Sequence, residues 1–119
     1  MIKGIGLDII EIARIQKSND ASPRFKERIL TPRELSIFEQ LKSRRQLEFL
    51  AGRFSAKEAY SKANGTGIGR SCKLQDIEIL PNEIGKPILY YQGKVVNGFV
   101  SITHSKEYAA AQVILMENL

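Results

Sequence analysis

The stretch Ser43-Arg44-Arg45-Gln46-Leu47-Glu48-Phe49-Leu50-Ala51-Gly52-Arg53-Phe54-Ser55-Ala56-Lys57-Glu58-Ala59-Tyr60-Ser61-Lys62-Ala63-Asn64-Gly65 decides how the rest of the chain is read. Leu47, Leu50, Ala51 and Phe54 recur at the spacing of one helical face. Ser43 reads as the start of this helix, and Asn64-Gly65 stops it near Ala63, because both residues tolerate the left-handed backbone at which helices end. On such a helix Glu58 and Lys62 stand one turn apart on a common face, with Lys57 beside them. A Glu–Lys pair at this spacing is an ordinary surface pair. It is also an arrangement able to hold a metal and an anion together, so the flanking segments decide its meaning.

Upstream, residues 2–9 alternate like a strand: Ile5, Leu7 and Ile9 point one way, while Gly4, Gly6 and Asp8 share the other face. Two glycines beside a carboxylate leave room for a ligand or another backbone to approach. Asp8-Ile9-Ile10-Glu11 also resembles a capping arrangement, with Asp8 as N-cap of a helix near 10–17. Thr31-Pro32-Arg33-Glu34 is a clearer start, with a threonine N-cap, proline at the first helical position and glutamate closing the box, for a helix near 32–42.

Downstream, Leu74–Leu80, Ile88–Tyr91, Phe99–Thr103 and Tyr108–Met116 are rich in β-branched and aromatic residues between turn signals, and read as strands. An N-terminal strand and helices followed by strands, without regular alternation, predict an α+β fold with an antiparallel sheet. Gly65-Thr66-Gly67-Ile68-Gly69 follows a helix and precedes no Gly-Lys-Ser/Thr, so neither a Rossmann turn nor a P-loop fits; a connector and a ligand contact remain open.

The 119 residues suit one domain spanning 1–119. Hydrophobic residues at 43% and charged residues at 26% are ordinary globular usage. The N-terminus lacks the apolar core of a signal peptide and no segment has membrane-spanning length, so a cytoplasmic protein without membrane partners is expected. The one cysteine, Cys72, leaves no internal disulfide and no cysteine-cluster zinc site. A net charge of +5 gathers in Arg24, Lys26 and Arg28 and in Lys42, Arg44 and Arg45, which favours an acidic partner or a polyphosphate ligand. No nucleic-acid reader motif or aromatic–basic platform accompanies these clusters, so nucleic acid is not expected.

Gly4-Ile5-Gly6-Leu7-Asp8, Phe49-Leu50-Ala51-Gly52-Arg53-Phe54, Lys57-Glu58-Ala59 with Lys62, Gly65-Thr66-Gly67, Gly85-Lys86-Pro87 and Ser101-Ile102-Thr103-His104-Ser105 together resemble the small bacterial holo-acyl-carrier-protein synthases, a class of 4′-phosphopantetheinyl transferases. The resemblance covers nearly the whole chain. It implies Mg²⁺-dependent transfer of 4′-phosphopantetheine from coenzyme A to a serine of apo-acyl carrier protein, in support of fatty acid biosynthesis, with release of adenosine 3′,5′-bisphosphate. It also implies a homotrimer with active sites between subunits.

By that resemblance Asp8 and Glu58 hold the metal, which suits a hard cation that keeps waters and substrate phosphates. Asp8, Glu58 and Lys62 form the catalytic group, Lys62 acting as clamp or proton donor for the departing phosphate. Coenzyme A falls to Arg45, Arg53, Lys57, Lys62 and Gly65 and to Lys86, Pro87, Thr103 and His104. Composition alone makes Lys86-Pro87 part of a turn. Alternation with Val100 and Ile102 makes His104 a core residue, a reading the resemblance reverses. Arg14, with Arg24 and Arg28, is expected to meet the acidic helix of the carrier protein.

Overall fold

The computed structural model describes residues 1–118 and runs β1 (Ile2–Glu11), α1 (Ile12–Ala21), α2 (Phe25–Ile29), α3 (Pro32–Gln40), α4 (Arg44–Asn64), a short 3₁₀ turn (Leu74–Asp76), β2 (Ile77–Pro81), β3 (Pro87–Tyr91), β4 (Lys94–Val95), β5 (Gly98–His104) and β6 (Tyr108–Met116). The fold is α+β and every strand pair is antiparallel. Pairing divides into two three-stranded sheets, β1-β6-β5 and β2-β3-β4, where the sequence suggested one sheet. The last strand, β6, is central in the first sheet, between β1 and β5.

Alternation in β1 comes out as read. Gly4, Gly6 and Asp8 face α4, while Ile5, Leu7 and Ile9 lie on the outer face, each more than half exposed. The open space beside the glycines is filled by another backbone. A Cβ at Gly4 would run into the carbonyl oxygen of Ala63, and one at Gly6 into that of Ala59. Only glycine lets helix and strand meet this closely.

The helix expected near 10–17 begins later, and Asp8 is not its N-cap. The chain stays extended through Glu11, because β1 pairs with β6 as far as Glu11 opposite Tyr108. Pairing to a neighbouring strand outweighs a local capping pattern. At Thr31 the capping box is present in full, and at Gly65 the backbone is left-handed with φ 85°, as the sequence indicates. Ser43 starts α4 without a side-chain cap bond. Helix α2 has no clear signal in the sequence, and residues 74–76 form the 3₁₀ turn where a strand was expected.

Helix α4 is buried on most of its circumference from Leu50 to Ser61, beyond the single face its periodicity suggested. The large sheet, β1-β6-β5 with its longer strands, covers one side, with Ala56, Ala59 and Tyr60 packed among Val100, Ala111 and Val113. Helices α1–α3 cover another, with Leu50 and Ala51 among Ile12, Ile15, Ile29 and Phe38. No helix among the described residues is long and apolar enough to cross a membrane.

Burial of α4 places Lys57 in the interior with no solvent exposure. Its Nζ donates to Glu34 Oε1 at 2.6 Å, to the Ile29 carbonyl at 2.6 Å and to the Leu74 carbonyl at 3.0 Å. Glu34 is equally buried and accepts from the backbone amides of Thr31 and Ile79, each at 2.9 Å. Burial draws the Lys57 ammonium below its ordinary pKa, and Glu34 opposes that shift. The pair ties α4 to α2, α3, the 3₁₀ turn and β2. Its three donor positions are filled, so Lys57 is withdrawn as a phosphate contact.

Lys57→Met should therefore cost about 3–5 kcal/mol in urea unfolding, the penalty for leaving a buried charge without its partner. The double variant Lys57→Met/Glu34→Gln should recover part of that loss. A cost below about 1 kcal/mol would match an exposed pair and contradict the interior role.

Candidate active site

Closeness of α4 to β1 lets the short Asp8 side chain reach the helix. Its Oδ1 accepts from Lys62 Nζ at 3.1 Å, and Lys62 also donates to the Leu7 carbonyl at 3.0 Å. Its Oδ2 accepts from Ser55 Oγ at 3.0 Å. Ser55, Glu58 and Lys62 fall at i, i+3 and i+7, on one stripe of α4 facing β1. Asp8 is mostly covered, whereas about half of the Lys62 side chain meets solvent.

Among the described residues Glu58 has no side-chain ion-pair partner. Burial raises its pKa above the ordinary value, the negative charge of Asp8 raises it further, and Lys62 offsets part of the effect. Two carboxylates at a half-open site with one lysine form an oxygen donor set suited to a hard divalent cation. The donor set thus fits Mg²⁺.

A second cluster lies at the other edge of the sheet. A pocket of about 300 Å³ is lined by Arg45, Phe49, Arg53 and His104, with Gly85 from the turn between β2 and β3 and Pro87 from the start of β3. Arg53 stacks over the Phe49 ring, with its guanidinium carbon 4.3 Å from the centroid, and donates through Nε to the Ile79 carbonyl at 3.2 Å. Burial lowers its pKa from the ordinary value, against the pull of Glu34. His104 stands half exposed at this pocket with Nε2 3.6 Å from Glu48 Oε1, so the core position suggested by strand alternation is not taken. Gly52 keeps the wall thin where α4 meets Ile102 of β5.

Thr103 and Lys86 do not line that pocket. Thr103 is exposed on the face of β5 opposite buried Val100, and Lys86 Nζ lies 5.8 Å from the ring centroid of Phe99 on the same outer face. Gly65 caps α4, with the amides of Thr66 and Gly67 folded back onto the Ser61 carbonyl. Arg14, Arg24 and Arg28 are exposed on α1, before α2 and on α2.

Sequence reasoning passed over Ser55 and Glu48, and gave Glu34 only its capping role. Ser55 is three residues before Glu58 and shares its helical stripe. Glu48 follows Arg44 by four residues, with Arg44 Nε 3.8 Å from its Oε2. The Glu34–Lys57 pairing, 23 residues apart in sequence, had no local signal.

A family model described as the 4′-phosphopantetheinyl transferase superfamily matches residues 4–113. The chain belongs to this superfamily. It is 58% identical over 116 residues to the holo-[acyl-carrier-protein] synthase of Bacillus pumilus, covering 97% of this chain and 96% of the relative. A crystal structure of the Bacillus anthracis synthase in complex with CoA (3′,5′-ADP) superimposes with a TM-score of 0.86 at 53% identity, over 97% of this chain and 96% of the other. The Helicobacter pylori synthase in complex with coenzyme A gives 0.82 at 30% identity, over 94% and 99%. The chain is thus a phosphopantetheinyl transferase of the holo-[acyl-carrier-protein] synthase type, with the α+β fold of its relatives.

The raised proton affinity of Glu58 sets a pH test for this transferase. A carboxyl group whose folded pKa is raised makes the folded state bind more protons than the unfolded state, so its contribution to stability declines as pH rises from the ordinary value of 4.5 through the raised one. Glu58→Gln removes that decline. Without divalent ions the variant should melt at a higher temperature than the parent at neutral pH, and the two should converge in acid below 4.5. Equal melting at both pH values would contradict the unfavourable charge at Glu58.

Proposed function

We propose that the chain moves the 4′-phosphopantetheine arm of coenzyme A onto a serine of apo-acyl carrier protein, with Mg²⁺ as cofactor, releasing adenosine 3′,5′-bisphosphate. The observation that supports this most directly is the convergence of Asp8, Glu58 and Lys62 between β1 and α4 in a chain of this family. The coenzyme A complexes of the two related synthases support the donor substrate.

In this reading the serine oxygen bonds to the β-phosphorus as the bond from that phosphorus to the bridging oxygen breaks, and the electron pair leaves with the 5′-phosphate of the nucleotide. Asp8 and Glu58 would hold Mg²⁺, which neutralises pyrophosphate charge when bound. The serine proton passes to one of this carboxylate pair, Glu58 or Asp8. Lys62 leaves Asp8 for the departing phosphate, where its charge counts most as negative charge develops. Arg45, Arg53 and His104 take the nucleotide phosphates, with Gly85 and Pro87 as the wall of that pocket.

The two clusters lie at opposite edges of one sheet. β1 carries Asp8, β5 carries His104, and β6 runs between them. Two interstrand spacings amount to on the order of 10 Å. A homotrimer in which the β5 edge of one subunit adjoins the β1 edge of the next brings the clusters together across an interface. The outer face of the sheet favours such assembly, since Ile5, Leu7, Ile9 and Phe99 are 56, 63, 64 and 56% exposed. Thr103 and Lys86 share that face and would then join the coenzyme A site from the interface. Arg14, Arg24 and Arg28 form the docking surface for the acidic carrier helix. The product supports fatty acid biosynthesis in the cytoplasm, and one domain spanning 1–119 performs the reaction.

Mass spectrometry of apo-acyl carrier protein incubated with the chain, coenzyme A and Mg²⁺ should show the added phosphopantetheine arm; an unmodified carrier would refute the transfer. Glu58→Gln and Arg53→Ala chains should each be inactive alone and regain activity when assembled together. No regain would confine each site to one chain. Lys62→Met should lower kcat by about two orders of magnitude, near 2.7 kcal/mol, with little change in coenzyme A affinity. Loss of affinity with kcat intact would contradict the clamp.

A further inference from the structure

Resting on the metal reading of Asp8 and Glu58, we propose that Ser55 is a positioning residue that holds the Asp8 carboxylate for the cation once Lys62 has moved to the phosphate. Ser55 is fully buried on α4, and its hydroxyl has two acceptors, Oδ2 of Asp8 and the Asp8 backbone carbonyl, each at 3.0 Å. A single hydroxyl hydrogen shared between the carboxylate and its own main chain fixes the Asp8 side chain relative to the strand. No other residue on this stripe of α4 reaches Oδ2.

The two contacts to Asp8 differ in permanence. Lys62 holds Oδ1, is about half exposed and carries the charge that the leaving phosphate requires, so it cannot serve both groups throughout the reaction. Ser55 is neutral, enclosed and one turn from Glu58, with no competing task. When Lys62 departs, Asp8 keeps one oxygen oriented by Ser55 and presents the other to the cation. An alanine here would leave Asp8 free to rotate into the widened space beside it. Groups that orient metal ligands in this way typically affect metal affinity by about 10–100-fold.

The same geometry accounts for a serine inside a helix. Its hydroxyl is turned across to β1, so α4 remains regular at this point and gains a polar tie to the strand. Alanine is a better helix former than serine, which compensates for part of the lost hydrogen bond in the folded chain. Stability and metal affinity are therefore expected to respond differently to its removal.

The test is Mn²⁺ binding to the parent chain, Ser55→Ala and Asp8→Asn at saturating coenzyme A, followed by the electron paramagnetic resonance signal of the free ion, with thermal melting alongside. Ser55→Ala should weaken Mn²⁺ binding roughly tenfold or more while shifting the melting temperature little. Asp8→Asn should abolish specific binding. If Asp8→Asn abolishes binding and Ser55→Ala stays within about twofold of the parent, the positioning role falls and the metal site stands. If Asp8→Asn binds as well as the parent, Asp8 is no ligand, and the metal reading and the role of Ser55 both fall. A lower melting temperature with unchanged Mn²⁺ affinity would reduce Ser55 to a structural tie and overturn the proposal.

Discussion

The close approach of α4 to β1 is the constraint on which the rest of the structure depends. Gly4 and Gly6 lie directly against the carbonyl oxygens of Ala63 and Ala59, and no side chain fits between them. The helix thereby comes near enough for an aspartate, with one methylene in its stem, to meet Ser55 and Lys62. A longer separation would place Asp8 in solvent and leave Glu58 without its neighbour. The same approach covers the inner face of the large sheet, so the apolar residues of β5 and β6 and the site carboxylates are organised by one helix.

A second tie sets the position of α4 from the opposite side. The buried Lys57–Glu34 pair joins it to α2, α3 and β2, with the charges bonded to backbone groups as well as to each other. Adjacent residues of α4 thus have opposite destinies. Lys57 points into the interior and holds the scaffold, while Glu58 lies within reach of the Asp8 charge, which with burial raises its pKa. A scaffold tie at one position thus sits beside a perturbed carboxylate at the next, and perturbed ionisable groups of this kind cluster at functional sites.

Sheet order gives the molecule its division of labour. Because β6 is central, the acidic cluster on β1 and the basic pocket beside β5 occupy separate edges. In the proposed reading, this separation would keep the negative charge of a polyphosphate away from the carboxylates until a ligand and a cation spanned both clusters. In the proposed trimer, covering the apolar outer face of the sheet would also bring the two clusters together.

Local patterns determined a good deal. The capping box at Thr31 and Glu34, the left-handed stop at Gly65 and the alternation of β1 depend on neighbours within a few residues, so they were legible without tertiary information. The glycines beside Asp8 announced a close approach, and the spacing of Glu58 and Lys62 announced a shared face. Where long-range pairing competed with local preference, the local reading failed: Asp8 resembles an N-cap, yet β6 keeps it in the strand. Lys57 shows the limit best. Spacing placed Lys62 on the face of Glu58, but no local signal marked Lys57 for the interior, and only packing against α2, α3 and β2 turns it inward. Sequence determined which groups were available and which stood on the same face; tertiary structure decided their surroundings, because burial and charge pairing depend on segments far apart along the chain.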